Sequence, residues 1–406
     1  MYLSDFMVVG VIEQFSILYI VRQNTVIAVS KKLLDLLLQI RKKFNNLPLD
    51  QNNENVKLLL ASSCIEKLKA QKLVTNNNFY YEDRYKVYSD KISDVYLHVS
   101  MECNLNCTYC YAQRTLKSGK EMSYNLATMI IDKLMLHEVQ TIILTGGEPF
   151  LNSNLDSIAR YIKEKNSDIA LSLITNGTKL SNSPEILEYF DQITVSVDVG
   201  ESSNRHGLAI PEIISCLKNL SDAVKIRTIV RSVISKGDEH LILKMRELVE
   251  SWGLSYVVVP RLPNEPDDLK YLPNLCVIPD VVLNDARYRP SRCGAATSVI
   301  AIDTNGDVYP CQALVKPDFK ITSMFSDTWE ADIRGSKISK DFKLANVLTI
   351  RGCSNCNFRF ACGGGCRALS HNVYESLYHR LDFMCEHFRE NAKKNILSMN
   401  FKGVLS

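Results

Sequence analysis

The sequence predicts an α/β protein. Six strand–helix repeats make a partial barrel, a small α+β unit precedes it, and a cysteine-rich segment follows. Three observations lead there. From Asp94 onward, short apolar strands alternate with helix-period segments, and repeated βα units imply a parallel sheet with right-handed crossovers. Before Asp94, three closely spaced apolar runs are followed by helical periodicity. After about residue 265 the periodicity fades, and seven of the 13 cysteines fall between 293 and 385. With 406 residues the chain has material for two or three domains. The pattern places them at 1–93, 94–264 and 265–390, with 391–406 as a short helical tail.

Composition narrows the class. The chain is 46% apolar and 23% charged with a net charge of +3, so neither nucleic acid nor an anionic membrane is expected as the main partner. Apolar runs such as 11–21 are interrupted by Glu13 and Gln14, which leaves no stretch of about 20 residues suited to spanning a bilayer. No basic n-region leads into a continuous apolar segment, so a signal peptide is not expected. Cytoplasm is the expected compartment. In a long chain without an export signal, clustered cysteines point to bound metal in a reducing environment.

In the first unit, 8–12, 17–21 and 26–29 read as strands, with Gln23-Asn24 as a turn. Ser30 then caps a helix through Leu33, Leu34, Leu37, Leu38 and Ile40 that ends in Arg41-Lys42-Lys43, where cations suit a helix C-terminus. The polar run 45–55 reads as a loop, 56–71 as further helix and 73–81 as extended chain. No basic recognition helix is evident, which argues against DNA.

In the second unit, Val95, Leu97 and Val99 alternate in a first strand ending at Ser100. The stretch Cys103-x3-Cys107-x2-Cys110 follows directly. Ser123 caps the next helix, which carries Leu126, Ile130 and Leu134 on one face. The second strand, 141–145, runs into Gly146-Gly147-Glu148-Pro149. The third, 169–174, ends at Asn176, and the fourth, 193–197, ends at Asp198. Segments 224–230 and 255–259 complete six strands. Barrel chemistry sits at the C-terminal ends of strands, and every unusual motif here lies at such an end. Three thiolates hold three irons of a [4Fe–4S] cube and leave the fourth open. A zinc knuckle is the plainer alternative for that spacing.

The cysteine triad with Tyr109 before its last member, together with GGEP after the second strand, resembles the radical S-adenosylmethionine (SAM) enzymes. That resemblance implies a cluster on Cys103, Cys107 and Cys110 whose open iron chelates SAM. It also implies SAM contacts from Gly146, Gly147, Glu148 and Pro149, an aromatic face from Tyr109 near the adenine, and ribose or carboxylate contacts from Ser196 and Asn176. Arg205 is a candidate partner for the SAM carboxylate, and Asp198 a candidate acid or base on the substrate side.

The later cysteines read Cys293-x12-Gly306-x4-Cys311, then Cys353-x2-Cys356-x5-Cys362-x3-Cys366-x18-Cys385. Both blocks resemble the SPASM domain of radical SAM peptide and protein maturases. The resemblance implies one auxiliary [4Fe–4S] cluster on Cys353, Cys356, Cys362 and Cys385. A second falls on Cys293, Cys311 and Cys366, with Cys276 as candidate fourth ligand. Three clusters and SAM are thus the expected cofactors. Residues 1–93, three strands then helices, resemble the winged-helix-like peptide-recognition element of such maturases, where a leader peptide adds a strand to the sheet edge.

These resemblances together imply an enzyme that spends the 5′-deoxyadenosyl radical on an oxidative crosslink in a ribosomally made precursor peptide. A carbon–carbon or ether macrocycle is the first choice of bond and a thioether the second. The product would be a natural-product or antibiotic peptide, and flavodoxin or ferredoxin would donate electrons. An anaerobic sulfatase-maturing, formylglycine-generating enzyme is the alternative of the same chemistry, and a structural zinc or iron–sulfur protein the alternative of another class.

Overall fold

The structure is a computed structural model describing residues 2–3, 6–12, 14–20, 25–44, 48–71, 73–75, 91–112, 120–182, 184–198, 210–274, 293–354, 356, 358–397 and 401–405. Its first strands are β1 (Tyr2–Leu3), β2 (Phe6–Ile12), β3 (Phe15–Ile20), β4 (Thr25–Ser30) and β5 (Val74–Thr75). Strands β2, β3 and β4 form an antiparallel meander, and β1 pairs with β5. Helix α1 (Lys31–Phe44) starts where the Ser30 hydroxyl accepts the Leu33 N–H. The expected helix over 56–71 is instead two, α2 (Glu54–Leu60) and α3 (Ile65–Ala70). Ser62 causes the break, because its hydroxyl donates to the Leu59 carbonyl and so terminates the turn.

The meander is buried on both faces, which is why its strands read as near-continuous apolar runs. Leu18, Ile20, Ile27 and Val29 pack on α1 to α3 through Leu33, Leu37, Val56 and Leu59. Their alternates Ile17, Tyr19, Val26 and Ala28 pack instead on Val347, Ile350 and Cys353. A turn at residues 23–24 lies outside the described residues.

The second sheet holds β6 (Asp94–Ser100), β7 (Thr141–Gly146), β8 (Ala170–Thr175), β9 (Gln192–Ser196), β10 (Thr228–Ile234) and β11 (Ser255–Pro260). It continues with β12 (Val299–Ile302), β13 (Asp307–Tyr309) and β14 (Thr322–Ser323). The order is β11-β10-β9-β8-β7-β6-β12-β13-β14, parallel through β12. The last two strands run antiparallel. The fold is thus α/β around a mostly parallel sheet. Apolar alternates such as Leu97, Ile142, Leu144, Leu171, Leu173, Ile193 and Val195 face the helices in one core.

Two expectations change. The fifth strand begins at Thr228 rather than 224, since Asp222–Arg227 is a helix capped by the Ser221 hydroxyl on the Val224 N–H. The apolar run misled because Ile226 is 82% exposed, so it belongs to no core face. The segment 391–406 is helical only to Leu397, where the helix Asp382–Leu397 ends. It then forms β15 (Phe401–Leu405), parallel to β4. Among the described residues no helix is long and apolar enough to cross a membrane.

Candidate active site

Strand ends β6 to β9 and the loop after β11 converge on the cysteine loop 103–110. The loop leaves β6 through Ser100, whose hydroxyl accepts the Glu102 N–H at 3.1 Å. The GGEP turn is laced to it, with Gly147 N–H donating to the Ser100 carbonyl at 2.8 Å and Glu148 N–H to the Glu102 carbonyl at 2.7 Å. Gly146 has φ +135°, and a Cβ there would lie 2.0 Å from the Ser100 carbonyl oxygen. Only glycine fits so close an approach.

Glu148 is fully buried. Its carboxylate accepts the Thr175 hydroxyl and the Asn176 N–H, both at 2.7 Å, and the Phe150 N–H at 3.2 Å. It therefore ties the β7 turn to the end of β8. Asn176 in turn donates to the Asn104 side chain at 2.8 Å, and Asn104 donates to the Thr178 hydroxyl at 2.8 Å. The Asn176 amide lies 3.9 Å from the Cys103 sulfur.

Across the site, the Tyr109 hydroxyl donates to Asp198. The other Asp198 oxygen accepts the Val233 N–H at 3.0 Å, and Asn264 donates to the Tyr109 carbonyl at 3.0 Å. Asp198 and Tyr109 thus brace the loop against β9 and β10. Two residues on, Tyr111 reaches Gln312 beside Cys311 at 3.4 Å. Arg205 and Cys276 lie outside the described residues.

Two strand residues escaped the sequence reading. Arg231 pairs in register with Ser196 on the strand face opposite the helix-side core residues Val230 and Ile234. His98, opposite Thr145, is buried with neither ring nitrogen hydrogen-bonded, and burial pulls its pKa down to about 4. Strand alternation was the available signal, since Leu97 and Val99 were already assigned to the core face.

The later cysteines gather into two groups. Burial raises the Cys311 thiol pKa, and the charges of Cys293 and Cys366 raise it further. Burial pushes Cys353 up to about 11 and Cys362 up to about 12, with Cys385 and Cys356 adding to both. Arg367 stands between the groups, fully buried. Burial lowers its pKa, while Cys366, Cys293, Cys353 and Cys362 raise it. Its guanidinium donates to the carbonyls of Leu377, His379, Gly364 and Gly365. That fixes the glycine run, in which Gly363, Gly364 and Gly365 all have positive φ.

Among the described residues, no three His, Cys, Asp or Glu side chains are close enough to share one metal ion.

Residues 97–241 match the model of the radical SAM superfamily. The subtilosin biosynthesis protein AlbA of Bacillus subtilis is 26% identical over 301 residues, 66% of this chain. The chain thus spans just under two thirds of that relative, again 66%. A cysteine-type anaerobic sulfatase-maturating enzyme of Clostridium novyi is 23% identical over 74% of this chain and 94% of its own length. Among solved structures, Streptococcus suis SuiB bound to its precursor peptide SuiA superposes with TM-score 0.55 at 16% identity. That likeness of fold covers 94% of this chain and 98% of SuiB. The cysteine loop and the GGEP turn that is laced to it both lie within residues 97–241, the part of the chain that matches the radical SAM superfamily.

Proposed function

We propose that the protein is a radical SAM peptide maturase that installs an oxidative crosslink in a ribosomally made precursor peptide. The observation that carries this reading is the bridge from Tyr111, next to Cys110, to Gln312, next to Cys311. It joins the cysteine loop to the segment that bears Cys311. A site that only isomerised its substrate would need no such second group, whereas removal of two hydrogens needs somewhere for an electron to go.

Bound at Cys103, Cys107 and Cys110, a [4Fe–4S] cluster supplies one-electron cleavage of SAM to the 5′-deoxyadenosyl radical. Gly146 and Gly147 bring bare backbone close to the methionyl end of SAM. Ser196 and Arg231, side by side in register, offer a hydroxyl and a cation for its ribose and carboxylate. Tyr109 and Asp198 keep the loop in place. Neutral, buried His98 helps keep water out of the floor. Cys353, Cys356, Cys362 and Cys385 would hold one auxiliary cluster, and Cys293, Cys311 and Cys366 the other, three in all. A low-potential flavodoxin or ferredoxin would supply electrons, and the cytoplasm fits such a protein.

The test is anaerobic reconstitution with SAM, reductant and the short peptide encoded beside the gene. Deoxyadenosine release and a loss of two hydrogens from the peptide are expected. Absence of both refutes the reading. The second reading, sulfatase maturation, draws on the 94% coverage of the Clostridium novyi enzyme. Formylglycine on a Cys- or Ser-containing sulfatase peptide, with no change in the neighbouring peptide, would favour it.

A further inference from the structure

We propose that β15 is a built-in occupant of a strand-accepting edge, and that an extended apolar peptide segment displaces it when it docks. The inference rests on the maturase reading, with the precursor received by the N-terminal unit as its resemblance to a peptide-recognition element implies, and it names the competitor that the precursor meets there. The β2–β3–β4 meander ends at β4. Val26, Ile27, Ala28 and Val29 of that strand are buried on both faces. An end strand so enclosed still has a row of backbone N–H and C=O groups pointing along the sheet, and these need a partner.

The chain supplies one from its far end. Phe401 pairs with Val26, Val404 with Ala28 and Leu405 with Val29. Three features mark this strand as replaceable. It has only five residues, and ordering so short a segment leaves little net gain. It runs parallel to β4 although its neighbours in the sheet are antiparallel, and parallel pairing is the weaker kind per residue. Its register also slips between Phe401 and Val404, which interrupts the ladder within a strand too short to compensate.

The tail, Phe401-Lys402-Gly403-Val404-Leu405, shows what the edge accepts in backbone terms: an extended segment, with an irregular step between Phe401 and Val404 where the sequence has a glycine. A longer peptide segment of that character, in clean register, satisfies the same groups with more hydrogen bonds. The tail nevertheless competes strongly, because tethering gives it a high effective concentration. Docking is thereby reserved for partners that outbid a resident strand.

The experiment compares the anaerobically purified full chain with a chain truncated after Leu397 and a full-length Val404→Pro variant. The probe is a fluorescent synthetic peptide of residues 399–406. Anisotropy should show saturable binding to the truncated chain and at least tenfold weaker binding to the full chain, equal to about 1.4 kcal/mol of tail pairing. The proline variant, which cannot complete the ladder, should bind the probe as the truncated chain does. Amide exchange in 25–30 should be slow in the full chain, fast in the truncated chain, and slow again with probe bound. Equal probe affinity of full and truncated chains, or no binding to either, overturns the proposal. The two readings fail separately: the probe assay needs no SAM chemistry, and a chain that passes it yet leaves the precursor peptide unmodified refutes the maturase alone.

Discussion

Gly146 decides whether the site assembles. Gly146→Ala would drive a methyl group into the Ser100 carbonyl and should cost roughly 3 kcal/mol or more of stability. Iron content at the first site and deoxyadenosine release should fall together, the latter at least a hundredfold. Arg367→Met removes the guanidinium from four carbonyls, of which, among the described residues, only that of His379 keeps a second donor, the Ser370 hydroxyl, at a cost on the order of 3–5 kcal/mol. A lowered melting temperature in both the cluster-loaded and the cluster-free protein would check it. His98 carries a pH dependence. Its pKa is 6.5 in the unfolded chain and about 4 when buried, so below pH 6.5 the unfolded chain binds a proton that the folded chain refuses. The stability owed to neutral His98 is complete above pH 6.5 and is lost as pH falls toward 4, by about 3 kcal/mol. Urea unfolding of His98→Gln should show a flatter profile across that window than the parent chain. The cysteine triad and GGEP were conspicuous in the sequence through residue type and spacing, and the structure laces the GGEP turn to the loop that carries the triad. His98, Arg231 and Arg367 were not, because an isolated histidine or arginine takes its meaning from the strand face or carbonyl cage it enters. Glu148 was legible as important, yet its three intramolecular hydrogen bonds emerge only once β7 and β8 lie side by side.

At the scale of elements, local signals served where caps and alternation agreed. The Ser123 hydroxyl accepts the Leu126 N–H and opens the helix Tyr124–Met135, as its position before an apolar-periodic run implied. Ser123→Ala should lower stability by about 1 kcal/mol, measured as a shift in urea midpoint at constant slope. The same signal at Ser221 was passed over because Val224 and Ile226 sit in a β-branched run, and the run was given more weight than the cap. The hairpin β12–β13 was also passed over. Its turn, Asp303-Thr304-Asn305-Gly306-Asp307, carries the Asn-Gly signature between apolar runs. Cysteine spacing drew attention away from it. The consequence is structural as well as interpretive. Because β12 pairs with β6, the segment bearing Cys293 and Cys311 is an extension of the catalytic sheet rather than an appended module. Strand β15 was illegible for a different reason: parallel pairing between residues so far apart in sequence has no local signature.

At the scale of the whole molecule, the N-terminal meander is built into the cysteine-rich region. Val9, Ile17, Tyr19, Val26 and Ala28 share one core with Val347, Ile350 and Cys353. The helix that bears Cys385 lies against β2 and leads into β15. Metal binding and folding are one free energy wherever ligands are ordered by the metal, so a chain stripped of iron should lose order at Cys353 and Cys385 first. Amide exchange in residues 15–20 and 25–30 should then speed up on chelation, while β7 and β8 stay protected. On the proposed reading, with a cluster on Cys353 and Cys385 and the precursor docked on the N-terminal sheet, the shared wall would give the protein a form of quality control. A copy made during iron shortage, or damaged by oxygen, would have a poorly formed docking sheet. It would not sequester a precursor that it has no means to convert, and the peptide would stay available to intact copies.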